Sequence, residues 1–515
     1  MPSPAASRSG SWSEDRAGVV DAMKSTSRNG LFLAVVFFLS DVGALQAEFP
    51  TAGIDKYLDA CAARDEFNGV VLLARKGEVQ YHRALGKASI DGGVPLRRDS
   101  VFRLASVAKA FTAVSILMLR EEGKLSLDDD VRKYVPTLPY SGATIRHLLH
   151  HTSGLPDYVK LLDKYWDAEQ GDLSRRKFAT NPDALGLIIK YKPAVRFTPG
   201  ERWDYSNTGY MLLALVVEKI SGAPFSDFLT QRIFVPLGMK DTVLFTPITP
   251  PSIENRAWGF RLSPDGGERL ANDRNYLNAM YGDGEVYSTA GDLVKWDQAL
   301  YTQKLLPAAA VDEMFTPGRL SSGKATGYGY GWGIAKRGGK KVVNHGGGWV
   351  GFRTWIDREL EGRQLLVVLT NNSSRSMGLV RDGVLALLAG KDPRLPKSPV
   401  SRLLGERLRR EGVAGLKDEY RRLKSSRAKE IDFSEARLRK LGSYLLGKKK
   451  TSAAVAVLEL NVEAFPKSVR ALEELGDALL ASGRRKDAGE VFRKALVLSP
   501  QNRKLQKKLA KTREP

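Results

Sequence analysis

Hydrophobic and polar positions change period several times along the chain, and each change marks an element. Phe67 to Arg75 is almost wholly apolar, Lys76 and Gly77 interrupt it, and Glu78 to His82 follows, which predicts two strands joined by a tight glycine turn. Ala105 to Arg120 is long and largely apolar, predicting a helix that stops at Gly123. Helical stretches with polar loops then continue to about residue 240. Strand-like segments return at Gly329–Ala335, Lys341–His345, Val350–Ile356 and Leu365–Thr370, separated by glycine-rich or charged turns. Short connections favour antiparallel pairing. The pattern therefore predicts an α/β (α+β) fold: one antiparallel sheet built from both ends of the domain and flanked by helices, with a helical lobe beside it. A cleft between the lobes is the natural place for a site.

Beyond Lys391 the chain turns Pro-rich, then charged and helical. Leu441, Gly442, Leu445, Ala454, Leu458 and Pro466 recur 34 residues later as Leu475, Gly476, Leu479, Ala488, Phe492 and Pro500. This period resembles the tetratricopeptide repeat, in which small residues let two antiparallel helices pack closely and proline ends the second. The resemblance implies an all-α repeat module with a concave face that suits a protein or peptide partner. At the other end, Lys24 and Arg28 precede the apolar run Leu31–Leu39, with small residues through Ala44 and Ala47. The run is about half of what a bilayer span needs, and Asp41 stops it, so it reads as an export signal cleaved near Ala44 or Ala47. Met23 stands where such a signal would start, and no Cys follows the run to carry a lipid. The expected organisation is an upstream extension and signal at 1–47 and a catalytic domain at 48–390. A linker with a flanking helix follows at 391–430, then two repeats at 431–515.

A net charge of +22 raises nucleic acid or an anionic membrane as partners, and its distribution changes that picture. Residues 391–515 hold 32 Lys and Arg against 16 Asp and Glu, so most of the excess lies in the helical module. No aromatic-rich nucleic-acid motif accompanies it, which leaves a solvated basic face as the expectation and a membrane surface as a secondary one. With 43% hydrophobic and 27% charged residues the chain has the composition of a folded protein. The single cysteine, Cys61, excludes an internal disulfide and a cysteine zinc site, and in a helical setting reads as a small buried apolar residue.

Chemistry concentrates in three places. Ser106 and Lys109 lie one helical turn apart, so a hydroxyl and an amine share a face at the start of the apolar helix. Ser174/Lys177, Ser321/Lys324 and Ser426/Lys429 have the same spacing but lie in charged or glycine-rich stretches. Tyr205 and Asn207 follow in a polar loop. A phenol beside a lysine can accept a proton, because each group removes the other's unpaired-charge penalty, and the amide can orient the lysine and the substrate. His345, Gly346, Gly347 and Gly348 lie between two expected strands, where glycines let a substrate backbone approach and an N–H can help hold an oxyanion. His147, His150 and His151 have no Asp, Glu or Cys beside them to complete a metal site, and no cofactor is indicated. The chain has no Gly-x-Ser-x-Gly elbow.

Together these motifs resemble the three-part signature of active-site serine penicillin-recognising enzymes, in the branch of class C β-lactamases, D-alanyl-D-alanine carboxypeptidases, D-aminopeptidases and related esterases. Leu148–Pro156 and Gly282–Asp292 look like further landmarks of that family, and the likeness covers roughly residues 50–390. It implies a β-lactamase/transpeptidase-like fold and acylation of Ser106, with proton transfer shared by Lys109 and Tyr205. The N–H groups of Ser106 and Gly348 would form an oxyanion hole, and Asn207 with His345–Gly348 would bind substrate. The third motif departs from the Lys-Thr-Gly of class C enzymes. A histidine is mostly neutral near pH 7 and holds a β-lactam carboxylate less firmly than lysine, so a small peptide or ester, such as a cell-wall fragment, is the expected substrate. The alternative is a silent scaffold that recruits partners through its repeats, but a scaffold has no chemical need for Ser106, Lys109, Tyr205 and Asn207 together.

Overall fold

An apolar run such as Gly69–Arg75 has no polar face to offer water, so it must lie inside a sheet that is covered on both sides. The computed structural model, which describes residues 49–170, 178–248, 250, 252–374 and 376–512, places it there. The expected export signal and the Ser174/Lys177 pair lie outside the described residues.

The strands that position the site are β1 (Gly69–Arg75), β2 (Glu78–Leu85), β3 (Phe260–Leu262), β4 (Arg269–Ala271), β5 (Gly333–Arg337), β6 (Lys340–Trp349), β7 (Phe352–Glu359) and β8 (Gln364–Thr370). Six of them form one sheet in the order β2-β1-β8-β7-β6-β5, and every neighbouring pair is antiparallel. β3 and β4 form a separate hairpin. The two ends of the domain meet at β1 and β8, where Val70 pairs with Leu369 and Leu72 with Val367.

Alternation along these strands feeds two cores. Val70, Leu72 and Ala74 face the large core shared with the helical lobe, and Val71 and Leu73 face a smaller one. α1 (Thr51–Ala62) covers the smaller core and fully buries Cys61. α2 (Lys109–Glu121) and α3 (Asn207–Ser221) pack together in the large core, with α4 (Ala290–Ala299) against the inner sheet face. α5 (Met377–Leu388) returns to the outer face beside α1.

Three expected elements differ in detail. The helix expected from Ala105 opens as a 3-10 turn over Ala105–Ala108 before α2. The strand expected from Gly329 begins at Gly333, because Gly331, at φ +78°, turns the chain against the backbone of Lys109 and Ala110. The break expected after His345 is absent: β6 runs through the glycines to Trp349, since β7 pairs with each of them and supplies the ladder.

The C-terminal part is helical: α6 (Val400–Glu411), α7 (Leu416–Ser426), α8 (Glu435–Gly447), α9 (Thr451–Ala464), α10 (Val469–Ala481), α11 (Arg485–Leu498) and α12 (Arg503–Lys511). Gly442 and Gly476, 34 residues apart, touch Leu458 and Phe492, and a Cβ at either position would overlap that side chain. Each glycine thus lets α8 approach α9, and α10 approach α11. Residues 391–430 hold two helices, and their Val400, Leu404, Leu416 and Tyr420 share a core with Leu438 and Leu441 of α8. α6 also grips the β3–β4 hairpin: Arg409 donates to the Asp265 carbonyl and carboxylate at 2.9 Å, and Gly405 sits flush against Asp265. No helix among the described residues is long and apolar enough to cross a membrane.

Candidate active site

Ala105 has φ +49°, a left-handed conformation rare outside glycine, and this turn presents Ser106 at the foot of α2. Val107 to Leu119 is entirely buried, so the apolar helix fixes its first residue, Lys109, deep in the core. The Lys109 ammonium has three hydrogens and three acceptors: Ser106 Oγ at 3.1 Å, Asn207 Oδ1 at 2.9 Å and the Asp283 carbonyl at 2.9 Å. Deprotonated, the amine has two hydrogens for Asn207 and Asp283 and a lone pair left for the Ser106 hydroxyl. One geometry therefore serves both proton states, which is what a base that must also act as an acid requires. Asn207 is placed by the cap of α3, where Ser206 Oγ accepts from the Gly209 N–H.

Aromatic rings wall this amine. Its nitrogen lies 4.9 Å from the Tyr205 ring centroid and 5.6 Å from that of Tyr210. His151, buried and at φ +59°, packs on Tyr205 with ring centroids 4.3 Å apart, and its Nδ1 accepts from the Ser206 N–H. Burial, then the nearby Lys109 charge, hold His151 neutral. The Ser106 hydroxyl and the Tyr205 ring thus both lie beside the one buried amine. Tyr205→Phe is expected to slow acylation roughly 10- to 100-fold without loss of stability, read from single-turnover release of a p-nitrophenyl ester.

The third motif is placed differently from the expectation that His345 lines the substrate edge. Its side chain turns inward: Nδ1 donates to the Gly346 carbonyl at 2.8 Å and Nε2 accepts from Tyr328 O–H at 2.9 Å. Burial, and then Lys109, push His345 down to about 3, so it offers no charge to an anion. The glycines do the positioning. β5 begins at Gly333 opposite Asn344 and pairs no further along β6, which leaves the outer edge of His345–Trp349 open toward the nucleophile turn. Gly347 lies against the Leu104 carbonyl and Thr354 Oγ1, which donates to that carbonyl at 2.7 Å. Gly348 is exposed and lines the same pocket as Ser106. A Cβ at Gly347 would overlap both Leu104 and Thr354. Gly347→Ala is therefore expected to lower stability by about 1–3 kcal/mol and to displace the nucleophile turn, seen as a lower Tm together with slower acylation.

The rest of the pocket was not assigned from sequence. Tyr158, Leu277, Met280, Asp283, Glu285 and Trp349 complete its wall around about 50 Å³ of free space. Asp283 accepts from Tyr158 O–H at 2.8 Å. Glu285 pairs with the fully buried Arg103 at 2.8 Å, and Arg103 also reaches Asn278, which accepts from Trp349 Nε1. Burial raises both carboxyls: Asp283 moves up against the pull of Lys109, and Glu285 rises to about 8 against that of Arg103. Both acids lie inside the landmark Gly282–Asp292, so the segment was legible and their roles were not. His147, His150 and His151 are not gathered on one point: His147 caps the helix Ile145–Leu149, and His150 meets the Tyr328 carbonyl.

The family model described as Beta-lactamase matches residues 54–391. The chain belongs to the β-lactamase family. It is 39% identical to penicillin-binding protein 4* of Bacillus subtilis (strain 168), over 60% of this chain and 69% of that one. Similarity extends to the D-alanyl-D-alanine-carboxypeptidase/endopeptidase AmpH of Escherichia coli (strain K12), at 29% identity over 64% of this chain and 87% of the other. Among solved structures, a D-amino acid amidase from Ochrobactrum anthropi SV3 superposes with a TM-score of 0.55 at 27% identity, covering 66% of this chain and 98% of that one. This β-lactamase family member is a serine hydrolase, with Ser106 and Lys109 adjacent as nucleophilic catalysis requires.

Proposed function

We propose that the chain is an exported serine hydrolase that cleaves amides and short peptides whose acyl part is a small D-amino acid with a free ammonium group. The observation that carries this reading is the lining of the pocket: it holds the carboxyl groups of Asp283 and Glu285 and no basic side chain. Such a wall offers an ammonium group oxygen acceptors beside the scissile carbonyl, and it offers the carboxylate of a β-lactam or of a peptide C-terminus no basic partner. The free volume, about 50 Å³, suits a methyl and an ammonium group better than an aromatic ring. The D configuration is taken from the names of the amidase and the carboxypeptidase, and export from the run Leu31–Leu39 behind Lys24 and Arg28.

In the first half-reaction Ser106 Oγ attacks the carbonyl carbon and its proton passes to the Lys109 amine. The oxyanion faces the N–H groups of Ser106 and Gly348. Lys109, packed against the Tyr205 ring, returns the proton to the leaving amine as the C–N bond breaks. Water then attacks the acyl ester with the same groups acting in reverse.

The test uses residues 48–515 and a Ser106→Ala control. D-alanine p-nitroanilide should be hydrolysed at least about tenfold faster than its N-acetyl form and faster than the L isomer, with no turnover in the control. Faster cleavage of the acetylated substrate would refute the ammonium reading. Ser106-dependent turnover of p-nitrophenyl acetate with all amides inert would make the protein an esterase instead. Cell fractionation checks export, and an unprocessed chain in the cytosol would refute it.

A further inference from the structure

One small element, the β3–β4 hairpin, touches the helical module at its tip and the oxyanion edge of the active site at its root. At the tip, Arg409 of α6 donates to the carbonyl and the carboxylate of Asp265, both at 2.9 Å. Tyr444 of α8 and Lys448 just after it donate to the Glu268 carboxylate at 3.1 and 2.9 Å. Gly405 presents bare backbone to Asp265, and Gly266 lies on the stem of Arg402. Asp265 also accepts from Ser263 Oγ and the Gly267 N–H, so its carboxylate ties the turn of the hairpin to α6.

The two strands are anchored unequally. β3 is fixed to the hydrolase body, where the Phe260 N–H donates to the Asn371 carbonyl at 2.9 Å and the Phe260 carbonyl accepts from the Ser373 N–H at 3.1 Å. β4 pairs with β3 alone among the described residues, over three residues. A ribbon that short is marginal in water, so the contacts at the tip add substantially to the hold on β4. β4 runs directly into the wall of the active site. The Asn272 carbonyl abuts Gly351, where a Cβ would come within 2.6 Å of that oxygen and 2.5 Å of the Gly259 backbone. The Asp273 carbonyl accepts from Asn278 Nδ2 at 2.9 Å, and Asn278 Oδ1 accepts in turn from Trp349 Nε1 and Arg103.

Between Trp349 and Gly351 stands Val350, at φ +35°. A β-branched residue is strained there and persists only where its surroundings hold it. The backbone of Gly259 and Asn272, packed on Gly351, supplies that hold. Gly348, the proposed oxyanion donor, lies two residues before Val350. Slack in β4 would let the turn relax and carry the Gly348 N–H away from the developing charge. We propose that the C-terminal helices set the oxyanion edge through the hairpin, and that Arg409 is a positioning residue for the acylation of Ser106. The inference rests on the oxyanion role proposed for Gly348 and on no particular acyl donor.

Arg409→Met in residues 48–515 tests it, because methionine removes the donors and keeps an unbranched stem. Single-turnover acylation by p-nitrophenyl acetate should slow about tenfold, with the half-saturating substrate concentration unchanged. Hydrogen exchange read by mass spectrometry should quicken over residues 270–280 and 346–352 and stay the same in β1 and β8. Adding Lys448→Met should deepen both effects. Arg409→Lys, which keeps a donor for Asp265, should restore most of the rate. Arg410→Met, whose arginine pairs with Glu411 rather than with the hairpin, should change neither readout. Unchanged exchange in both segments would overturn the linkage. Faster exchange with unchanged acylation would overturn the positioning role and count against Gly348 as the oxyanion donor. Slower acylation with faster exchange in β1 and β8 as well would mark general loosening and overturn the proposal too.

Discussion

Lys109→Met is expected to lower the acylation rate of Ser106 roughly 10³- to 10⁴-fold while the protein stays folded. Lys109 is fully buried, and methionine matches its length and apolar stem, so the cavity stays filled. The substitution removes the group that takes the hydroxyl proton. It leaves Asn207 Oδ1 and the Asp283 carbonyl without their donor, at about 1–3 kcal/mol, but it also removes a cation from an apolar site. Stability should therefore change far less than rate. Lys109→Arg should fail as completely, because a guanidinium stays protonated and its planar fork does not match three converging acceptors. Single-turnover release of p-nitrophenolate, paired with a thermal melt, separates the two effects. Acylation within tenfold of the unmodified enzyme would show that another group deprotonates Ser106.

The sequence made the nucleophile legible because the apolar helix and the Ser-x-x-Lys spacing are local, and local geometry follows from helical periodicity. The sheet was legible as strands and as antiparallel, but not in its partners: β1 meets β8 nearly 300 residues away. The glycines of the third motif were read as a loop, because glycine weakens a strand in isolation. In place, β7 supplies their ladder and Gly347 closes on Leu104. His345 was assigned to substrate from its place beside the glycines at a strand end and from the family resemblance. Its orientation depends on Tyr328, which burial keeps protonated as a hydrogen-bond donor, and no spacing in the sequence connects the two. Glu285 was hidden for a further reason. It sits at φ +71°, where a non-glycine residue costs about 1–3 kcal/mol, and local propensity predicts glycine. Its buried partner, Arg103, comes from the segment before the nucleophile.

That strained, buried acid carries the second large expectation. For D-alanine p-nitroanilide kcat/KM should follow a bell in pH with its maximum near 8, whereas p-nitrophenyl acetate should lack the acid limb assigned to Glu285. Burial raises Glu285 to about 8, so its carboxylate is scarce below that pH and full above it. A cationic substrate needs the carboxylate, so its binding strengthens as pH rises. The substrate's own ammonium, with a pKa near about 8, is lost on the alkaline side. Glu285→Gln should remove the acid limb and cost the free amine roughly 10- to 100-fold, chiefly in KM, with the ester barely affected. The variant leaves Arg103 buried without its counter-ion, which can destabilise the fold. Asp283→Asn is the companion, because an amide oxygen still accepts from Tyr158. It should weaken discrimination between free and acetylated substrate with little change in Tm. If both variants depress the free and acetylated substrates equally, or the two pH profiles coincide, the acids shape the pocket without reading charge.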